Sequence, residues 1–293
     1  ALLTVFFGKE GFSHKNSGHG ALLFEAQAGK VKIISDDTWE AAVYKAYGRD
    51  DNPKPNWRLP ESNICFDGRK SLGNWQKPGY SRKFPKAKIF NADAINETYG
   101  QLVLRPIPLF KEFGLKDYVS CTFDEKTRIL TCRLPYDAQI TPYLKVQAKA
   151  GDTIVIRTDH DVVGGESCIR AAYITRNGIQ EYESLGWING DLVYYKIPKG
   201  TKVISVKYRE SGYDTEFTSD FKCNDEFFNE LWKRSVRTMY VNMRDTYFDC
   251  PDRERSQWWG DVTNDIQQSF YVFSPSSWKL VDKGIYELVN WQR

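Results

Sequence analysis

The densest chemistry in the sequence lies between Arg244 and Asp261. Five acids (Asp245, Asp249, Asp252, Glu254 and Asp261), three arginines and two tryptophans share these 18 residues. Carboxyls at such density can divide acid–base work when their surroundings differ. An apolar ring beside one raises its pKa by desolvation, while a neighbouring guanidinium keeps another ionised. One acid then keeps a proton near neutral pH while a second binds hydroxyls as a carboxylate. If Pro251 opens a short helical turn, Glu254, Trp258 and Asp261 fall at i, i+4 and i+7 and share a face, with the indole between two carboxyls. On composition alone the commoner outcome is blander: a solvated, self-neutralised loop with a tryptophan anchor.

The flanking stretches must position that segment. After Phe217 the apolar period changes from two to 3.6. Phe227, Phe228, Leu231, Trp232, Val236, Met239, Tyr240 and Met243 predict one broad helical face opening near Asn224. A second helix is predicted near Val262–Val272, and a third opens at Ser274–Pro275 and runs toward Trp291. Upstream, VSCTF, ILTCRL, DTIVIR, CIRAAYIT, LVYYKI and KVISVKY are β-branched or aromatic runs separated by turn residues. They predict an antiparallel sandwich over 107–217. The first 106 residues have short apolar runs such as VKIISD (31–36) and many turn residues, the composition of an irregular β-sandwich. The expected fold class is therefore multidomain β plus α, with 1–106 and 107–217 as β-sandwiches and 218–293 as a helical segment. Three terminal helices cannot bury themselves alone. The amphipathic pattern still running at Asn290–Arg293, and the lack of an initiator Met before Ala1, lead us to expect the front part of a longer protein.

Bulk properties exclude several classes. At 293 residues, 41% apolar and 27% charged, the chain has the composition of a folded protein of two or three units. No apolar run approaches the roughly 20 residues of a membrane span; the longest, around Ala1–Phe7, also lacks the basic flank of a signal peptide. A net charge of +3 gives no electrostatic footprint for nucleic acid. Fifteen per cent aromatic residues, with nine Trp, suit β-sandwich cores and also sugar binding by ring stacking.

Resemblance sharpens the dense segment. DCPDRERSQWWGD (249–261) resembles the signature of bacterial α-L-rhamnosidases, family 78 of the glycoside hydrolases. Asp249, Cys250, Pro251, Arg253, Glu254, Arg255, Trp258, Gly260 and Asp261 match at fixed spacing. NWQKPGY around Trp75 and GQLVLRPIPLFKEF (100–113) are similar, more weakly, to the N-terminal domains of the same enzymes. The resemblance implies β-sandwich modules followed by the first helices of a six-hairpin α/α barrel. It implies that Glu254 is the general acid and that Asp249 and Asp261 hydrogen-bond rhamnose hydroxyls. Arg253 stands as the basic residue beside the acid and Trp258 as a ring lining the subsite, while Trp259 lies outside the pattern. The family inverts configuration, so a base carboxylate is needed roughly 6.5–9.5 Å from the acid; in the family it is a glutamate much later in the barrel than residue 293. The implied partner is a rhamnose-containing glycoside or polysaccharide, with no cofactor, no metal, no nucleic acid and no membrane, and with homodimerisation left open. Family habit implies a periplasmic or extracellular location, without forbidding a cytoplasmic one. The alternative is a non-catalytic carbohydrate-binding β-sandwich protein; a six-hairpin glycosidase acting on another sugar is a third reading.

Other clusters carry less. Asp159, His160 and Asp161, with Glu166, imitate a metal cluster, but adjacent residues on a strand exit alternate sides, so a solvated turn at Gly164–Gly165 is expected. His14 and His19 sit in a glycine-rich loop without phosphate-binding spacing. With three His and no triad spacing, nucleophilic hydrolase chemistry has little support. Cys65, Cys168, Cys223 and Cys250 form no CxxC pair. Cys121 and Cys132 sit symmetrically about Lys126–Thr127, where a hairpin would place them opposite each other, more readily as two thiols than as a disulfide. Trp39, Trp57, Trp75 and Trp187 are candidate sugar platforms whose commoner fate is packing.

Overall fold

The computed structural model describes residues 22–59, 61–89 and 104–290. Ala1–Phe7, His14, His19, Trp291 and the start of the 100–113 stretch lie outside the described residues. The chain divides into two compact units, one of residues 1–47 and 70–104 and one of residues 48–69 and 105–293. In the first, β1 (Glu25–Ala28) and β2 (Val31–Ile34) form an antiparallel hairpin, the second strand falling where VKIISD predicts it. Strand β3 (Tyr47–Arg49) spans the sequence boundary between the units.

The second unit is built on one extensive sheet. Its strands are β4 (Ile64–Asp67), β5 (Lys111–Lys116), β6 (Ser120–Asp124), β7 (Ile129–Ala148), β8 (Thr153–Thr158), β11 (Ala171–Ile174), β12 (Gly178–Glu183), β13 (Ile188–Lys196) and β14 (Lys202–Gly212). The short hairpin β9 (Val162–Val163) and β10 (Glu166–Ser167) stands apart from it. The order runs β4-β11-β8-β13-β7-β14-β5, with β6 and β12 also paired to β7. All of these pairs are antiparallel except β4 with β11. The 20-residue β7 is much longer than the run ILTCRL suggests, and it is the strand on which the sheet is assembled. Leu130, Cys132, Leu134, Ile140, Leu144 and Val146 are buried along it at the even spacing of a strand with one apolar face. They pack with Ile154, Ile156, Tyr173, Val193, Tyr195 and Tyr208 in one core. The hairpin register places Cys121 directly opposite Cys132, as the symmetry of the sequence predicts, and both are free thiols.

Three α-helices follow among the described residues: α1 (Glu226–Val241), α2 (Trp259–Val272) and α3 (Trp278–Asn290). The N-cap of α1 is Asp225 rather than Asn224; its carboxylate accepts the Phe227 N–H at 2.9 Å. The broad apolar face predicted for α1 is divided. Met239 and Tyr240 are buried, whereas Phe227, Phe228 and Leu231 in the first turns are exposed. Ser274 and Pro275 open a single 3₁₀ turn, and the α-helix proper begins at Trp278. No helix among the described residues is long and apolar enough to cross a membrane. The fold is thus β-rich with a helical segment at its C-terminal side.

Helix α1 is fastened to the sheet by buried polar groups. Glu210 on β14 is 1% exposed and takes Arg237 at 2.8 Å, Lys116 at 3.0 Å and the Tyr136 hydroxyl at 3.1 Å. Gln139 on β7 donates to the Val241 carbonyl at the end of α1 and accepts from Arg244 at 2.6 Å. The approach is close enough that a Cβ at Gly212 would stand 2.5 Å from the Tyr240 hydroxyl oxygen, so only glycine fits there. Burial pushes the Glu210 carboxyl up, but Arg237 and Lys116 outweigh it and hold the group below its ordinary value. Stability from a depressed acid is present above its unfolded-state pKa and lost as pH falls through the folded-state value. Glu210→Ala, which strands Arg237, is expected to cost about 3–5 kcal/mol in urea unfolding at pH 7. The difference from wild type should shrink on acidification below about pH 4, where the unfolded carboxyl also protonates.

Candidate active site

The loop between α1 and α2 folds back on itself through paired backbone and side-chain bonds. Asp249 N–H donates to the Ser256 carbonyl, and Ser256 N–H returns to Asp249 Oδ1, both at 2.9 Å. Arg255 adopts a left-handed conformation (φ 50°) at the bend. Such a backbone is costly for a residue with a Cβ, and the surroundings must hold it. They do: Arg255 is 5% exposed, donates to the Pro251 carbonyl at 2.8 Å and the Trp187 carbonyl at 3.2 Å, and lies 3.4 Å from the Trp187 ring centroid. Arg244 approaches the same indole at 4.9 Å and Phe110 at 4.2 Å, and burial lowers its pKa to about 10. Trp187 therefore serves packing between cations rather than standing as a free sugar platform.

Turn residues occupy 251–254, and α2 begins only at Trp259. The single helical face expected for Glu254, Trp258 and Asp261 is therefore absent, because Asp249 closes the loop on Ser256 before a helix can start. The residues meet all the same. Asp249, Arg253, Glu254, Trp258 and Asp261 line one open cleft with Cys250 and Val163.

The electrostatics differ from the sequence expectation. Trp258 presents its Nε1–H to Glu254 Oε2 at 2.6 Å rather than offering an apolar face. Arg253 donates to Glu254 Oε1 at 2.6 Å, and Arg58 Nε stands 3.7 Å from the same oxygen. Burial raises the Glu254 carboxyl, but the indole N–H and the two guanidinium groups together hold it below its ordinary value. The raised acids lie elsewhere. Asp249 is pushed up by burial against its hydrogen bonds from Ser256 and Cys250. Asp265, one turn beyond Asp261 on α2, is pushed up to about 7 by burial and by the charges of Asp261 and Asp249.

Much of what surrounds the loop comes from β-unit residues that the sequence did not mark. Asn56 Nδ2 donates to the Arg253 carbonyl at 2.9 Å, and Glu61 lies 3.3 Å from Arg255. Glu166 accepts Arg58 through both oxygens, at 2.7 and 2.8 Å. The turn expected at Gly164–Gly165 is present and exposed, while the segment Asp159–Asp161 before it is half-buried. His160 Nδ1 lies 3.0 Å from Asp252 Oδ2, and Asn189 Nδ2 donates between them. This loop can approach because Gly190 lacks a Cβ, which would otherwise meet Asp159 Oδ1 at 2.5 Å. Asp159, His160 and Asp191 do bring one ligand atom each within 4.8 Å of one another. Asp159 Oδ1, however, already accepts the N–H groups of Asp191 and Leu192 at 3.1 and 3.0 Å, and Asp161 turns away to Arg157.

Residues 216–279, which contain the whole loop, match the family model of the bacterial α-L-rhamnosidase 6 hairpin glycosidase domain. The match lies within the helical segment and the short stretch before it. Among solved structures, the α-L-rhamnosidase of Streptomyces avermitilis complexed with L-rhamnose is 18% identical with a TM-score of 0.73, over 92% of this chain and 26% of that one. The α-L-rhamnosidase from Dictyoglumus thermophilum is 18% identical with a TM-score of 0.65, over 84% of this chain and 28% of that one. The likeness is one of fold, and the chain spans little more than a quarter of these proteins' length. No curated protein matches the sequence.

The Asp252 carboxylate lifts the His160 imidazole to about 9, against the opposing effect of burial. A raised histidine contributes stability that is complete below its unfolded pKa of about 6.5 and is lost as pH rises through its folded value. The stability difference between wild type and His160→Asn should thus be greatest below pH 6.5 and vanish above about pH 9 in thermal melts. A difference independent of pH would remove the ion pair with Asp252 from the account.

Proposed function

We propose that this chain contributes the acid side of an α-L-rhamnosidase active site, which hydrolyses terminal α-L-rhamnosyl residues from glycosides or polysaccharides with inversion. The observation that carries the reading is the shared cleft: Asp249, Glu254, Trp258 and Asp261 line it together, within the segment that matches the family model. In this reading residues 218–293 begin a six-hairpin barrel, and the preceding residues are its β-sandwich modules.

Glu254 protonates the departing glycosidic oxygen, while Asp249 and Asp261 accept hydrogen bonds from sugar hydroxyls. Arg253 holds the acid in place, and the exposed Trp258 offers apolar surface to the sugar's methyl group. The free site holds Glu254 ionised, so its proton must be gained as the glycoside enters. Sugar filling the cleft displaces water from the carboxyl, and that desolvation acts in the raising direction. Inversion also needs a second carboxylate to activate water from the opposite face. We assign that base to no residue of this sequence.

Glu254→Gln is expected to lower turnover of an aryl α-L-rhamnoside by about 10²–10⁴-fold, the usual worth of a general acid, with unchanged melting temperature. Proton NMR of the wild-type reaction should show β-rhamnose first. Asp249→Asn should act mainly on KM. If Asp249→Asn abolished turnover and Glu254→Gln did not, the proton would belong to the raised acid, Asp249. Rhamnoside binding without turnover, unaffected by Glu254→Gln, would favour a carbohydrate-binding module instead.

A further inference from the structure

Two guanidinium groups stand between two carboxylates at the edge of the cleft. Arg58 is bonded to Glu166 at 2.7 and 2.8 Å and lies farther, 3.7 Å, from Glu254. Arg253 makes the opposite division, 2.6 Å to Glu254 and 3.9 Å to Glu166. Glu166 opens β10, and the hairpin that carries it turns through Gly164 and Gly165, both with positive φ (60° and 79°). Asn56 ties the arrangement together. Its N–H donates to the Ser167 carbonyl at 2.9 Å, while its side chain holds the Arg253 carbonyl. The Glu166 and Arg58 side chains are each 33% exposed and Glu254 only 10%, so the pairing lies at the rim, with the acid just inside.

We propose that Glu166 and Arg58 are positioning residues that set the protonation of Glu254 by competing for the same cations. Glu166 draws Arg58 away from Glu254 and weakens the hold of Arg253, so the Glu254 carboxyl is less strongly ionised than two adjacent arginines would make it. Without Glu166, both guanidinium groups turn to Glu254 and a nearby negative charge is lost. Both changes favour the carboxylate. Without Arg58, Glu254 loses a cation and Glu166 is free to compete for Arg253, so the carboxylate is disfavoured. Glu254 also accepts the Trp258 N–H, and the Asp249 and Asp261 carboxyls line the same cleft. The β-hairpin thereby controls an acid that lies almost ninety residues later in the sequence.

The charge sharing is a property of the folded chain. Its consequence for turnover rests on the reading of Glu254 as the acid, and the test separates the two. The Glu254 carboxyl is followed by ¹³C NMR of glutamate-labelled protein, assigned by its loss in Glu254→Gln. Glu166→Gln should lower the protonated fraction of Glu254 at fixed pH by roughly two- to fivefold, the range of a partly exposed charge pair. Arg58→Met should raise it by a similar factor, and Glu166→Asp should stay near wild type. In kcat/KM against pH on an aryl rhamnoside, the limb set by the acid should move in the same opposite directions. NMR shifts in opposite directions would sustain the charge sharing whether or not this chain, to which no base is assigned, hydrolyses the glycoside. Shifts in one direction for both variants, or none in variants with normal melting temperatures, would overturn the proposal.

Discussion

Withdrawing charge from water is the constraint that organises this molecule. An ionised side chain cannot leave solvent unless partners replace its hydration, and the cost of a missing partner is several kcal/mol. The loop from Arg244 to Asp261 withdraws several at once: Arg244, Asp252, Glu254 and Arg255 are all less than a tenth exposed. No loop of that length can neutralise itself by internal pairing while keeping its acids turned to a cleft. Partners must come from elsewhere, and here they come from the β-unit: Gln139, His160, Trp187, Glu61 and Arg58. The sheet is not a neighbouring module beside the site but the material that makes a charged loop tolerable inside the protein.

The same constraint explains which parts could be read from the sequence. Strand runs and helix positions were legible because periodicity reports local burial, and β-branched or aromatic runs reappear as β6, β8, β13 and β14. The DCPDRERSQWWGD segment marked residues that the structure brings to one cleft. What escaped was the supporting cast. Arg58 and Asn56 lie in a stretch of turn composition, and Glu166 follows a Gly-Gly pair, so each reads locally as solvated loop. Their roles arise from contacts across more than a hundred residues (Asn56 reaches Arg253, and Arg58 reaches Glu166), and no local pattern encodes such pairing. The partners of Asp159–Asp161 escaped for the same reason. Alternation of adjacent side chains says nothing about Asp252 or Asn189 arriving from the other side. A conspicuous residue, Trp187, was weighed as a sugar platform when its surroundings use it to separate two guanidinium groups.

One sequence inference failed for an instructive reason. A tryptophan beside a glutamate suggests desolvation and a raised pKa, but an indole has two chemistries. Its face desolvates; its N–H donates. Trp258 sits four residues beyond Glu254 across a non-helical bend rather than a helical turn, and that geometry delivers the N–H. Asp249 decides the matter by closing the loop onto Ser256, which prevents the helix that would have presented the ring. The backbone hydrogen bonds of one aspartate thus determine the protonation behaviour of another acid five residues away.

The cleft that results is electrically polarised. On the side facing the β-unit, Glu254 lies among Arg253, Arg58 and the indole N–H and is held ionised. Elsewhere in the same lining, Asp249 is pushed up by burial and by the charge of Glu254. A ligand entering the cleft meets the ionised Glu254 beside its guanidinium groups and the raised Asp249 carboxyl in the same lining. A neutral polyol suits such a site, because each hydroxyl both donates and accepts, and a ligand carrying net charge would disturb one wall or the other. The polarity also couples the acids. Any proton taken up by Glu254 weakens the negative field at Asp249, so the pocket titrates as a set rather than as separate residues. The guanidinium groups at the rim, which hold Glu254 low, then bear on which member of that set keeps a proton.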